Sequence, residues 1–210
     1  VLVSAGPTRE QVDPVRYLSN RSSGKMGYAI ATAASEAGAR VTLISGPTSL
    51  PTPDRIERID VVSAAEMQQA VLAHAAQCDI FIAAAAVADY GIKEQAPHKI
   101  KKDAKHLTLE LTRNPDILSS VAALPCPPFT VGFAAETENL PDHARAKRSS
   151  KAVDMIAANW VNQPGRGFES DENALQVFWE GGEQDLPLAP KQKLARELVK
   201  IIAQRYHSRA

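Results

Sequence analysis

Apolar residues in this chain come in short runs, separated by stretches with helical spacing. Val1 to Ser4 and Val41 to Ser45 are the near-continuous runs that a strand covered on both faces requires. Between them Ile30, Ala33, Ala34 and Ala37 recur at i, i+3, i+4 and i+7, which predicts a helix from about Gly24 to Ala37, stopped by Gly38. Ser63 and Glu66 make a capping box that opens a second helix running to about Gln77, and Asp79 to Ala83 (DIFIA) follows as a third buried strand. Leu107 to Leu111 (LTLEL) alternates instead, predicting a strand with one wet face. Next come a helix from Pro115 to about Leu124, a strand from Thr130 to Ala134, a helix from about Leu140 to Lys151 and a strand from Met155 to Ala158. Ala174 to Trp179, a Gly181-Gly182 turn and Leu186 to Leu188 read as a hairpin, and the closing helix carries Leu194, Leu198, Ile201 and Ile202 on one face. Strands alternating with helices imply an α/β fold, a Rossmann-like, doubly wound and mostly parallel sheet, with the C-terminal hairpin as an edge addition before the terminal helix. No repeat or long linker interrupts the pattern, so residues 1–210 read as a single domain.

Composition narrows the partners. Basic and acidic residues balance at 24 each, so the surface lacks the basic excess of a nucleic-acid or membrane-surface binder. The longest apolar runs fall far short of the ~20 residues that span a bilayer. Aromatics are only 5%, which leaves Ala, Val, Ile and Leu to build a core of closely packed helices on the sheet. Cys78 and Cys126 form no CxxC and are too few for a disulfide framework, although a single bridge stays open. The chain begins on a buried-strand pattern with neither Met nor a signal-like segment, so it reads as a piece of a longer, cytoplasmic protein.

In open α/β sheets ligands gather beyond the carboxyl ends of the strands. Three segments should meet there: Ala5 to Gly27, Ala83 to Tyr90, and the residues after Phe133. The first carries Gly6-Pro7-Thr8-Arg9 and then Ser19-Asn20-Arg21-Ser22-Ser23-Gly24-Lys25 before a helix, either a phosphate cradle or a long surface loop with a well-capped helix. It matches neither GxGxxG nor the P-loop. In the second, the small residues Ala83 to Ala86 allow a ring or ribose to approach the backbone, with Asp89 as acceptor; tight helix–sheet packing with Asp89 as a cap explains the same residues. Basic residues cluster at Lys93, Lys99, Lys101, Lys102 and Lys105, and again at Arg145, Lys147, Arg148 and Lys151. Lys147 and Lys151 repel at i, i+4 unless an anion joins them, or the run is simply a solvated face. Lys99 stands in a segment with the composition of a mobile flap. The five histidines show no metal-ligand spacing, and no GxSxG is present.

VLVSAGPTREQVDPVRYLSNRSSGKMGYAIA, followed in order by VTLISGPTSLPTP, AAAVADY, HKIKK, NPDIL, VGFAAET and AxNW, closely resembles the phosphopantothenate–cysteine ligase domain of bacterial bifunctional coenzyme A biosynthesis proteins. The resemblance implies CTP-dependent ligation. The carboxylate of 4′-phosphopantothenate attacks the α-phosphorus of CTP and releases pyrophosphate, then the amine of L-cysteine displaces CMP from the acyl-cytidylate. It implies Asn20 acting on the acyl-cytidylate and Lys99 on the flap as catalytic residues. It implies nucleotide contacts at Ala83, Ala84, Ala85, Asp89, Lys99, Pro115, Asp116, Ile117, Leu118, Phe133, Lys147 and Lys151, and phosphopantothenate contacts at Arg16, Asn20 and Ala86. The resemblance further implies Mg²⁺ with the nucleotide, a homodimer with the site near its interface, and a flavin-dependent decarboxylase preceding the domain. No flavin is expected on this part. Two departures from the family pattern, a short deletion between Lys102 and Leu107 and the less basic pair Ser149-Ser150, bear on flap length and triphosphate affinity. A nicotinamide-dependent oxidoreductase is the rival reading; against it stand the failed GxGxxG and Ser45-Gly46-Pro47 where an acid should end the second strand. A nucleotide-sensing module without chemistry is another.

Overall fold

A computed structural model describes residues 1–102, 105–161 and 170–209. The expected deletion between Lys102 and Leu107 lies partly outside the described residues. β1 (Leu2–Ala5) is buried along its whole length and leads into a small antiparallel ribbon, β2 (Arg9–Gln11) with β3 (Tyr17–Ser19). α1 (Lys25–Glu36), β4 (Thr42–Ser45), β5 (Glu57–Asp60), α2 (Ala64–Ala75) and β6 (Ile80–Ala83) follow. β7 (Tyr90–Ile92) and β8 (Leu111–Arg113) make a second ribbon, and then come α3 (Ile117–Ala122), β9 (Phe129–Glu136), α4 (Leu140–Ser150), β10 (Met155–Trp160), β11 (Glu172–Trp179), β12 (Gly182–Pro190) and α5 (Lys191–Arg209).

The main sheet has the order β12-β11-β10-β9-β6-β1-β4-β5, parallel from β10 to β5 and antiparallel at β11 and β12. The doubly wound reading and the hairpin at the edge are both met. Period-2 alternation sends neighbours on β1 to opposite layers. Val3 and Ala5 pack with Ile30, Ala33 and Ala34 of α1 and with Leu194, Leu198, Ile201 and Ile202 of α5. Leu2 joins Ile44, Phe81 and the apolar faces of α2, α3 and α4 on the other side. α1 lies close on β1 because Gly27 has no side chain: a Cβ there would meet Ala5 Cβ at 2.5 Å. α2 opens on the predicted capping box, with Ser63 Oγ accepting from Glu66 N–H and the Glu66 carboxylate accepting from Ser63 N–H.

One predicted strand is displaced. Leu107 to Glu110 form no strand; β8 begins only at Leu111 and pairs with β7 outside the main sheet. The alternation expected a core behind one face, but Leu107 and Leu111 are 55% and 44% exposed. The strands β2, β3, β5 and β7, only three or four residues each, are additions to the predicted set.

From β1 the chain winds outward to β4 and β5, then returns through α2 to β6 on the other side of β1. The order therefore reverses between β1 and β6, and their carboxyl ends mark the crevice where such sheets hold ligands.

Candidate active site

That crevice is bridged directly above β1. Thr8 N–H donates to Ala86 O at 3.3 Å, Ala86 N–H to Gly6 O at 2.9 Å, and Ala88 N–H to Thr8 Oγ1 at 3.0 Å. Gly46, at the end of β4, packs so tightly on this turn that a Cβ there would lie 1.9 Å from Pro7 O. Gly6, Pro7 and Thr8 are buried, so the first half of the expected cradle is a structural joint and does not hold phosphate.

The open cavity lies toward β6 and β9 and has two lobes. The first, about 270 Å³, is lined by Asn20, Ser22, Gly24, Lys25, Ala84 to Val87, Asn159, Asn173 and Lys191. The second, about 250 Å³, is lined by Ala83, Ala88, Arg113 to Leu118 and Lys151. Ala85, Val87, Asp89, Phe133 and Lys147 belong to both. Thus Asn20, Ala83, Ala84, Ala85, Ala86, Asp89, Pro115, Asp116, Ile117, Leu118, Phe133, Lys147 and Lys151, predicted from five separate segments, do surround one cleft.

Local structure explains each placement. Asn20 leaves β3 and its carboxamide nitrogen donates to Val87 O at 3.0 Å and to Ala86 O at 3.3 Å, tying the first loop to the second. Asp116 is the N-cap of α3, accepting from Ser119 N–H at 3.0 Å, and pairs with Lys151 Nζ at 2.8 Å. Burial alone would raise the Asp116 carboxyl, but the bonds from Lys151 and Ser119 outweigh it and hold its pKa below the usual value. Lys147 projects from α4 and donates to Phe133 O at 2.8 Å. Burial and the neighbouring Lys151 charge lower its pKa, with Glu136, Asp89 and Asp116 pulling the other way. An anion beside Lys147 and Lys151 reverses that penalty, as the i, i+4 spacing anticipated.

Arg16 and Lys99 are not brought to this cleft. Arg16 is bound to the Asp13 carboxylate and donates to Ile100 O at 2.8 Å. The same Asp13, buried, accepts from Val15 N–H at 2.8 Å, Arg16 N–H at 2.9 Å and Ile100 N–H at 3.1 Å. Burial pushes its carboxyl up, yet the Arg16 side chain and three backbone donors together hold it well below the ordinary carboxylate range. Lys99 is exposed on the segment thus anchored, outside both lobes. This tether has a testable consequence. A depressed carboxyl stabilises the anchored form fully above its unfolded pKa of about 4, and loses that contribution only as pH falls through the native value. Asp13→Asn should release the segment around Ile100 at neutral pH, read as several-fold faster hydrogen exchange at Ile100 and faster proteolytic nicking there, with the main sheet's protection retained.

Several lining residues escaped the reading of the sequence. Asn159 and Asn173 are 8% and 4% exposed, and Lys191 is 5% exposed. Asn159 stood in view within the AxNW motif; Asn173 and Lys191 come from the edge hairpin and the start of α5, which no loop signal connects to β6.

Fold and cleft together define a doubly wound α/β domain with a cationic, two-lobed cleft beyond the carboxyl ends of its central strands. Residues 1–206 match the DNA/pantothenate metabolism flavoprotein C-terminal domain, and the chain belongs to that family. It is 54% identical over 210 residues to the coenzyme A biosynthesis bifunctional protein CoaBC of Escherichia coli K12, covering 98% of this chain and 52% of that protein. The CoaBC of Bacillus subtilis is 46% identical over 205 residues, covering 97% of this chain and 50% of that protein. The chain thus spans about half the length of these relatives. A crystal structure of the C-terminal domain of CoaBC superposes with a TM-score of 0.84 at 39% identity, over 99% of this chain and 95% of that one. No helix among the described residues is long and apolar enough to cross a membrane.

Proposed function

We propose that the domain joins 4′-phosphopantothenate to L-cysteine in coenzyme A biosynthesis, with CTP activating the carboxylate. The observation that carries this reading is the pair of lobes meeting at Ala85, Val87, Asp89, Phe133 and Lys147. Such a cleft seats two anionic reactants end to end, with one lysine at their junction. The second lobe suits the nucleotide: Lys147 and Lys151 answer its phosphates, and the small residues Ala83 and Ala85 let a flat base or ribose approach. The first lobe takes the acid, its carboxylate directed to the junction. Attack on the α-phosphorus releases pyrophosphate and leaves an acyl-cytidylate across the junction; attack by the cysteine amine then releases CMP.

Asn20 stands beside the acyl group in this arrangement. In the resting protein its N–H groups are committed to Val87 O and Ala86 O, and the longer bond, at 3.3 Å, is the one to exchange for the carbonyl oxygen as negative charge develops there. Mg²⁺ bound with the nucleotide would supply charge neutralisation at the phosphates. Asp89 and Asp116, the carboxylates of the second lobe, are the side chains that would hold it.

Lys99 enters through a homodimer. Val15, Tyr17, Tyr90, Leu107 and Leu111 are large apolar side chains, 44–59% exposed, grouped on the two ribbons and the segment beside them. A second copy covering this patch brings its anchored Lys99 segment toward the neighbouring cleft.

Incubation with CTP, 4′-phosphopantothenate and cysteine tests the reaction: stoichiometric pyrophosphate, CMP and amide support it, and their absence with a folded protein rejects it. Asn20→Asp should release about one equivalent of pyrophosphate per site and then form amide at least ~100-fold more slowly, the scale of losing one oxyanion donor. Quenched-flow detection of accumulated acyl-cytidylate checks this, and a variant that completes the amide at the normal rate removes Asn20 from the second step.

A further inference from the structure

The two lysines of the second lobe do not by themselves favour a polyanion. Lys147 and Lys151 share this space of about 250 Å³ with the carboxylates of Asp89 and Asp116, two positive groups against two negative. Lys151 is paired with Asp116 at 2.8 Å, and the fields of Asp89 and Asp116 both reach Lys147. Such a set orients an incoming phosphate chain without a net attraction for it. The fifth charged residue of the lobe is Arg113, the last residue of β8, and it tips the sum to positive. Arg113 is exposed, and the carboxylate at the other end of its ribbon, Glu110, is held there by Lys93 at 2.6 Å.

The arginine springs from a fixed base. Arg113 stands opposite Tyr90 in the ladder of β7 and β8. The next residue, Asn114, donates its backbone N–H to Asp89 O at 2.8 Å and its carboxamide N–H to Ala88 O at 2.9 Å. Gly91 lies so close that a Cβ there would be 2.8 Å from Asn114 Oδ1. A rigid backbone beneath a long guanidinium suits bidentate capture of phosphate oxygens. Position in the cleft decides which ones. The attacked α-phosphorus must sit at the junction, beside Lys147, because the acid reaches it from the first lobe. The outer phosphates then lie in the part of the second lobe that the first does not share, where Lys151 and Arg113 are. Resting on the proposed reaction, we infer that Arg113 is a third nucleotide-binding cation, holding the β- and γ-phosphates. In the first step the carboxylate–phosphorus bond forms as the bond from the α-phosphorus to its bridging oxygen breaks, and the electron pair departs on pyrophosphate. Arg113 stands where that charge collects, so it stabilises the transition state as well as the bound nucleotide.

The test compares CTP, CMP and pyrophosphate, titrated calorimetrically in buffer containing Mg²⁺. Arg113→Gln should weaken CTP and pyrophosphate alike by about 20-fold, the scale of a lost charge-assisted hydrogen bond, and leave CMP within about twofold of the wild-type protein. Arg113→Lys should restore part of the loss. Because the residue is exposed, the Gln variant should keep the wild-type Tm, and CMP binding shows that its cleft is intact. In quenched flow at saturating CTP, the variant should release pyrophosphate at least about 10-fold more slowly, while a cysteine chase of acyl-cytidylate already formed gives amide at the wild-type rate. Equal losses for CTP and CMP place Arg113 at the nucleoside end and overturn the inference. An unchanged affinity for pyrophosphate, or a wild-type protein that binds none, overturns it as well. If the wild-type protein forms no acyl-cytidylate, the proposed reaction fails, and the comparison of pyrophosphate with CMP still decides the role of Arg113 on its own.

Discussion

Lys147→Met should weaken CTP binding by about 100-fold, roughly 3 kcal/mol, the scale of deleting a buried charge opposite a polyanion. Lys147 is held to Phe133 O at 2.8 Å and belongs to both lobes, so no neighbour can take its place. Lys151→Met should cost less, about 10-fold, because Lys151 is already half-neutralised by Asp116 at 2.8 Å. The ordering of the two variants is the sharper prediction, since a bland electrostatic patch would treat them alike. Calorimetric titration with CTP at low ionic strength reads both; equal losses, or an unchanged affinity for the Lys147 variant, exclude the second lobe as the phosphate site.

The other large effect is on stability. Gly46→Ala should destabilise the fold by about 3 kcal/mol or more, lowering Tm by roughly 6–12 °C. The added carbon would sit 1.9 Å from Pro7 O and 2.8 Å from Pro7 C, both backbone atoms that cannot rotate aside. Gly132→Ala is a useful contrast. Its Cβ would meet Leu118 Cδ2 at 2.6 Å and Ile156 Cδ1 at 2.7 Å, the ends of side chains that can turn, so a smaller loss is expected. Gly181→Ala, at φ 73° with nothing within 4 Å, should lose only the left-handed strain of about 1 kcal/mol. Thermal unfolding of the three variants orders them, and a Gly46 variant as stable as the Gly181 variant would show that the joint above β1 is not tight in solution.

Most of the sheet was legible because its strands are buried on both faces and its helices carry continuous apolar stripes. What the pattern could not convey was pairing between loops. The hydrogen bonds joining Gly6 and Thr8 to Ala86 are made by backbone atoms, which every residue possesses, so Gly6-Pro7-Thr8 looked like an open phosphate cradle. The ribbon of β7 and β8 was misplaced for a related reason: LTLEL has the alternation of a half-buried strand, yet only its last residue enters the ladder. At the site, the motif residues were legible as a set, and the fold gathered those from β6, α3, β9 and α4 as expected. Arg16 and Lys99 were not, because Asp13 draws both segments into a tether and no spacing rule links residue 13 to residue 100. Lys191 escaped because a lysine opening a C-terminal helix looks like surface until α5 is docked against α1.

The wall common to the two lobes makes their occupancies thermodynamically inseparable. A guest in either chamber would meet Lys147, so its arrival would alter the free energy of admitting the other guest. By linkage, the factor by which the first ligand shifts the second must equal the factor by which the second shifts the first, whichever enters beforehand.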